Sequence, residues 1–335
     1  MSNTTNDQPQ KSPQPSHPLY RLHHRQQQVS RWTLLAVAVF LMGIGSGYLF
    51  WDRVSSPFLQ GLSQPQLITP PEISKNVTDL ILQINPSEGF QLPIKYGKIG
   101  PQLLNAGAID LDRFVQTYEQ AGQPLTDKQI AILRHGLDVP IIMDKENSYF
   151  LLNLFWAFGL VNKNPILTEG PMMQDSAGQV GRFASTGGWT LGAKPSTEIY
   201  ANANLIWLSE EQQAILHRVA QSVYRSCCNN PTHFPDCNHG MAMLGILQLM
   251  ASEDISESEM LEAAKNINAY WFPQQSLELA LLFNANEGLD FANVDAGKAV
   301  SREYFSASGS QAVHQWLSEN GLLPQAPNSG GSCGV

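Results

Sequence analysis

Between Arg225 and Met250 the sequence RSCCNNPTHFPDCNHGMAMLGILQLM gathers Cys227, Cys228 and Cys237 with His233 and His239, three of the chain's four cysteines among them. Thiolate sulfur and imidazole nitrogen both ligate zinc and copper. Cys227, Cys228, Cys237 and His239 therefore form a Cys₃His set that could fill a tetrahedral site. Asp236 or Asn238 is placed to cap a helix starting near His239. Cys237 then sits at a helix N-terminus, where the partial positive charge favours the thiolate. Met241 lies one turn beyond Cys237 and Met243 one turn beyond His239. Their thioethers, added to the thiolates, favour Cu(I) over zinc. His233 and Cys333 complete the candidate ligands, Cys333 lying in the glycine-rich terminus NSGGSCGV, which could fold back onto the cluster.

Each of these residues also has a plainer reading. A Cys228–Cys237 disulfide would close a loop of about ten residues, worth roughly 2.7 kcal/mol in the chain-entropy account. A thiol pair could instead do redox chemistry, with Cys237 attacking and Cys227 or Cys228 resolving the mixed disulfide. Met241, Met243 and Met250 fall in an apolar run of the kind that forms the buried face of a helix. Cys333 could remain a free tail thiol or pair with another protein. His217 and His314 stand singly on expected helices and read as solvated or capped residues.

Common hydrolase and nucleotide chemistry has no support. The chain contains no GxSxG elbow between a strand and a helix, since its GGSCG at 330–334 falls in the glycine-rich terminus, and no HExxH, no dinucleotide GxGxxG after a strand and no Walker lysine pattern. The pairs Glu210–Glu211 and Glu253–Asp254 fall at expected helix starts, where capping and the helix dipole explain them. No residue is assigned a catalytic role.

The elements that must position the cluster are helical. Capping boxes at Thr126 with Gln129, Ser209 with Gln212 and Ser256 with Glu259 mark three helix starts, each followed by apolar residues at helical spacing. Further helices are expected over 110–120, 146–161, 239–252, 274–284 and 310–319. The segment Tyr149–Val161, YFLLNLFWAFGLV, is apolar on all sides but too short to span a bilayer, and reads as a central core helix. Between Gly178 and Pro195 five glycines break the pattern, so a loop or short hairpin is expected there. The fold class is mainly α, with one glycine-rich irregular or short β segment and a single preceding transmembrane helix.

That transmembrane helix is read at Trp32–Trp51, WTLLAVAVFLMGIGSGYLFW, which carries no charge over a length that crosses a ~30 Å hydrocarbon layer. Arg21, Arg25 and Arg31 precede it, while Asp52 and Arg53 cancel behind it, so the N-terminus is expected in the cytoplasm and the bulk of the chain outside the plasma membrane. A long N-terminal region and the lack of an A-x-A-like site argue against cleavage. Gly43 and Gly47 form a GxxxG face suited to a homodimer. Residues 1–31 read as a polar cytoplasmic tail, 52–85 as a proline-bearing stalk, 86–322 as the extracytoplasmic domain and 323–335 as a flexible tail.

Residues 1–53 contain Lys11, Arg21, Arg25, Arg31 and Arg53 against Asp7 and Asp52. Of the whole chain's 20 basic and 29 acidic residues, 15 and 27 remain beyond them, a net of −12. So acidic a remainder excludes a nucleic-acid partner. The partners expected are the bilayer, a second copy of the chain or another envelope protein.

The block Tyr224–Gly245, YRSCCNNPTHFPDCNHGMAMLG, resembles a family of uncharacterised prokaryotic membrane-anchored or exported proteins. The similarity lies in the paired cysteines followed by Asn-Asn and in FPDCNHGMAMLG. Ser185–Gly192, STGGWTLG, and Asn147–Gly159, NSYFLLNLFWAFG, belong to the same pattern. The resemblance implies that the cluster defines the family, and it brings no activity with it. Three functions stay open: a copper or zinc binding protein, a thiol-disulfide redox protein, and a structural or assembly protein braced by disulfides.

Overall fold

The computed structural model describes residues 70–323, with side chains from Val77 onward. The Trp32–Trp51 span, Gly43, Gly47 and Cys333 lie outside the described residues. Pro70 and Pro71 open helix α1 (Pro70–Ile84), because proline is well tolerated in a first turn, where its missing N–H has no intrahelical partner in any case. Leu80 and Ile84 of α1 are buried. The folded domain therefore begins before the expected boundary at residue 86, inside the segment read as stalk.

Strand β1 (Phe90–Gly97) follows, then helices α2 (Ile99–Ala106), α3 (Leu111–Gln120) and α4 (Asp127–His135), and strand β2 (Leu137–Met143). The two strands pair antiparallel, with Phe90 opposite Met143 and Gly97 opposite Leu137, and with irregular register between these ends. Leu92, Ile94 and Tyr96 alternate inward along β1. Pro93 and Pro140 fall within the strands, which suits a two-stranded ribbon with free edges. The β structure thus lies at 90–97 and 137–143, and not in the glycine-rich segment. That segment forms loops and short helical turns at Val180–Arg182 and Ala184–Gly187, with a further turn at Ser196–Ile199 just beyond it.

The centre is helix α5 (Ser148–Val161), buried from Phe150 through Val161. It packs most extensively against helix α7 (Asn238–Ser252), itself buried from His239 through Ala251. Between them in sequence lies α6 (Glu210–Ser222), and after them come α8 (Glu257–Trp271), α9 (Pro273–Glu287) and α10 (Ala307–Glu319). The boxes at Thr126, Ser209 and Ser256 all form in both directions, so each helix start has its first N–H groups satisfied locally. Glu211 in the first turn of α6 is held below the usual carboxylate range by backbone and Ser209 hydrogen bonds, in keeping with a capping role. A second apolar cluster joins α1, α9 and α10 through residues such as Leu80, Phe283, Tyr304 and Trp316. Among the described residues no helix is long and apolar enough to cross a membrane.

Helices α5 and α7 cross backbone to backbone because glycines meet at the contact. A Cβ on Gly245 would sit 2.6 Å from the Phe155 carbonyl oxygen, and one on Gly159 would overlap the Met241 carbonyl oxygen. Beyond the crossing, Asn162 at the end of α5 donates to Gln248 of α7, so the pair is locked by a buried amide bond as well. Gly245→Ala is expected to destabilise the chain by about 1–3 kcal/mol through overpacking. Urea unfolding measures this, and an unchanged midpoint would show that the crossing tolerates a methyl group.

Candidate metal centre

The site is built on the loop 223–237 that leaves α6 and enters α7. Asn268 of α8 donates to the Tyr224 carbonyl oxygen at 3.0 Å, and the Tyr224 N–H donates to Val300 at 2.8 Å. Thr232 folds the loop back by donating its N–H to the Val223 carbonyl oxygen at 2.8 Å. On the far side, the Ala307 N–H donates to the Cys228 carbonyl oxygen at 2.9 Å, and Ser226 meets Ser310 of α10 at 2.7 Å. The glycine-rich segment closes the arrangement, with the Ser185 N–H donating to the Asp236 carbonyl oxygen at 3.0 Å. Trp156 of α5 donates to the Ser185 carbonyl oxygen at 2.6 Å. The three sequence blocks around Asn147, Ser185 and Tyr224 are thereby neighbours in space.

Inside this loop lies Arg225, only 2% exposed. Its planar fork donates Nε to Cys237 Sγ at 3.0 Å, Nη1 to the Asn230 carbonyl oxygen at 2.9 Å, and Nη2 to the Phe234 carbonyl oxygen at 3.1 Å and to Asp236 Oδ1 at 2.6 Å. Asp236 Oδ2 accepts from Asn230 Nδ2 at 2.8 Å, so the carboxylate is fixed from both sides. A buried guanidinium is tolerated when its donors are filled and an anion sits beside it. Gly240 makes room for it: a Cβ there would lie 2.5 Å from the Arg225 guanidinium carbon.

Cys237, rather than Asp236 or Asn238, is the N-cap of α7, its sulfur accepting from the Gly240 N–H at 3.4 Å. Asp236 is engaged by Arg225 and Asn230, which leaves the thiol to cap the helix. Hydrogen bonds from Cys227 and Cys228 hold the Cys237 thiol well below its ordinary range against the opposing effect of burial, helped by the Arg225 charge and by a bond from His239. Cys227 is raised in turn by its hydrogen bonds with Cys228 and Cys237 and by burial, so it stays a thiol. For Cys228 the bond with Cys227 lowers the value, but the bond with Cys237, burial and the neighbouring thiolate outweigh it and push it up to about 11. Cys237 is therefore the most readily ionised of the three sulfurs. Burial disfavours the charge on Arg225, but attraction to the sulfurs, Cys237 first, more than restores it.

The three sulfurs lie within 4.8 Å of one another, and Cys227 is 3.5 Å from Cys237. That is close enough to hold one metal ion, and all three residues are free cysteines rather than a Cys228–Cys237 bridge. His239 does not join the group of three. Its ring is buried against Trp271 and Phe272, with centroids 5.6 and 4.7 Å away, and it serves Cys237 as a hydrogen-bond partner. His233, a candidate ligand, is turned away to His217, the ring nitrogens being 3.2 Å apart, so it does not join the sulfurs and His217 does not stand alone as expected. His314 is likewise paired, with Glu278 at 3.0 Å. Met241 and Met243 belong to the hydrophobic core.

Sequence reasoning missed Arg225 and gave Asp236 the wrong task. The signal was faint: a basic residue just before the cysteine pair and an acid just before Cys237, 11 positions apart. Comparison with protein families, with curated proteins and with solved structures gives no match for this chain.

The metal-free, reduced chain is expected to react with iodoacetamide first at Cys237, at pH values well below those needed for an ordinary thiol. Arg225→Met should move that inflection upward, and mass-resolved alkylation rates against pH would read it. Because the folded-state value is depressed, the stability owed to this thiolate is complete above the ordinary thiol value and lost as pH falls through the folded value. The variant should flatten that dependence. An inflection unmoved by Arg225→Met would remove the guanidinium from the account.

Proposed function

We propose that the domain binds a soft metal ion, copper(I) in preference to zinc, through Cys227, Cys228 and Cys237. The observation that carries this reading is the convergence of three sulfurs within 4.8 Å, with the Arg225 guanidinium donating to the Cys237 sulfur. Thiolate ligands select soft ions. Structural zinc sites close with four ligands, whereas Cu(I) is satisfied by three sulfurs, the number that the loop supplies without His239. The Arg225 N–H held on the Cys237 sulfur orients that ligand in the manner of an outer-shell hydrogen bond. The uncharged Trp32–Trp51 segment and the basic residues ahead of it support a single-pass anchor with this centre on the extracytoplasmic side.

A second reading rests on the 3.5 Å separation of Cys227 from the Cys237 thiolate. In it, Cys237 attacks a substrate disulfide and releases one substrate thiolate. Cys227 then attacks the mixed disulfide, leaving Cys227 and Cys237 bridged and the substrate fully reduced.

Metal analysis of the reduced, detergent-purified chain separates the two. Metal binding predicts one Cu(I) per chain, held against a competing chelator and lost in Cys237→Ser and in Cys228→Ser. The redox reading predicts no retained metal, and a mixed disulfide trapped on Cys237 in Cys227→Ser but not in Cys228→Ser. Absence of stoichiometric copper or zinc from the unsubstituted chain would overturn the metal proposal.

A further inference from the structure

A second site lies away from the cysteines, beside the start of α6. There a cleft of about 590 Å³ opens between the end of α5 and the segment that leads into α6, and its lining includes Trp207, Lys163, Glu169, Glu210 and His217. Trp207 is 77% exposed. An indole held in water contributes little to folding, so its placement calls for another explanation.

The backbone that carries Trp207 is fixed from beneath. Asn162, 1% exposed, accepts from the Leu205 and Ile206 N–H groups at 2.9 and 3.2 Å through its one carbonyl oxygen. The Lys163 N–H donates to the Ala203 carbonyl oxygen at 2.7 Å. Beside them Asn164 and Gln213 exchange two amide hydrogen bonds, at 2.9 and 3.2 Å, which ties α6 to the same base. Trp207 is thus a large flat surface on a braced support.

The chemistry around it narrows the occupant. Lys163 opposes Glu169 and Glu210, so the rim has charge of both signs and favours no strongly charged ligand. A bilayer fits poorly, because no basic cluster lines this cleft, and among the described residues the other large exposed apolar side chains, Leu82, Ile142 and Leu323, lie elsewhere in the chain. A cation cage or proline-rich groove needs several Trp, Tyr or Phe rings, whereas Trp207 is the only one of these in this lining. A neutral ligand with one apolar face and a polar edge fits: the C–H face of a pyranose ring stacks on an indole while its hydroxyls reach amide, carboxylate and ammonium groups. We propose that the Trp207 cleft is a saccharide-binding site that takes a sugar ring of a neutral glycan.

Calorimetric titration of the detergent-solubilised full chain with two soluble probes, cellotetraose and chitotetraose, tests this. At least one probe should bind saturably, and Trp207→Ala should weaken it by about tenfold or more. Trp207→Phe should restore part of the affinity, with thermal unfolding the same in all three chains. No saturable binding of either probe, or affinity unchanged in Trp207→Ala, would overturn the proposal. So would Trp207-dependent binding of the chain to phosphatidylcholine vesicles without binding of either sugar, which would assign the indole to a membrane surface.

Discussion

The buried guanidinium of Arg225 is the interaction on which the cysteine loop depends. Taken out of water, it must have each strong donor filled and a negative charge close by. Asp236 supplies part of that charge and the Cys237 sulfur the rest. These demands bend the chain: Asn230, Phe234, Asp236 and Cys237 are all drawn to one side chain, and that draws the paired cysteines over the first turn of α7. The cluster is organised around a cation first, and the three sulfurs come together as a result. Gly240 belongs to the same requirement, since any side chain there would occupy the space of the guanidinium.

The position of that first turn is set from below. Helix α5 is apolar around its whole circumference and can be stable only at the centre of a core. Helix α7 meets it through Gly159 and Gly245, so closely that the distance between the helices is governed by backbone atoms. A rigid α7 gives Cys237 a fixed N-cap position, and its sulfur takes up a backbone N–H and the field of the helix terminus together. The glycine-rich segment holds the opposite wall through Ser185 and Trp156. The ring of Phe183, edge-on to Phe234 with centroids 5.6 Å apart, adds an apolar contact to the same wall. In that glycine-rich segment Gly178 takes a positive φ, Gly187 passes against the Gly181 carbonyl and Gly192 against those of Gly107 and Ala108, so its glycines serve tight turns and close backbone approaches and not a hairpin.

Local signals were legible and paired long-range signals were not. The boxes at Thr126, Ser209 and Ser256 announced their helices because each is complete within four residues. The all-apolar run at Tyr149–Val161 announced a buried helix by composition alone. Strands β1 and β2 escaped, since each is short, contains a proline and finds its partner about 40 residues away across three helices. The start of α1 escaped because Pro70 and Pro71 read equally as a stalk. At the site, the cysteines were evident from their types. Their true neighbour was not, because a buried arginine looks like any other arginine until the acid that neutralises it has been located.

The unequal ionisation of the three sulfurs also determines how an ion would enter the proposed centre. Cys237 gives up its proton more readily than Cys227 or Cys228, so it would be the first of the three sulfurs to take a soft cation. Cys227 and Cys228 hold theirs more firmly than ordinary thiols, and each must release one to become a ligand. Closure of the site would therefore carry the pH dependence of the Cys227 and Cys228 deprotonations. The arriving positive charge supplies what the isolated thiols lack, because it lowers their proton affinity as it approaches. Arg225 would act in the opposite sense on a cation held there, its charge opposing retention even as its hydrogen bond fixes the Cys237 sulfur. A soft ion would be held first through Cys237 and then through Cys227 and Cys228, and protonation of those two would favour its loss.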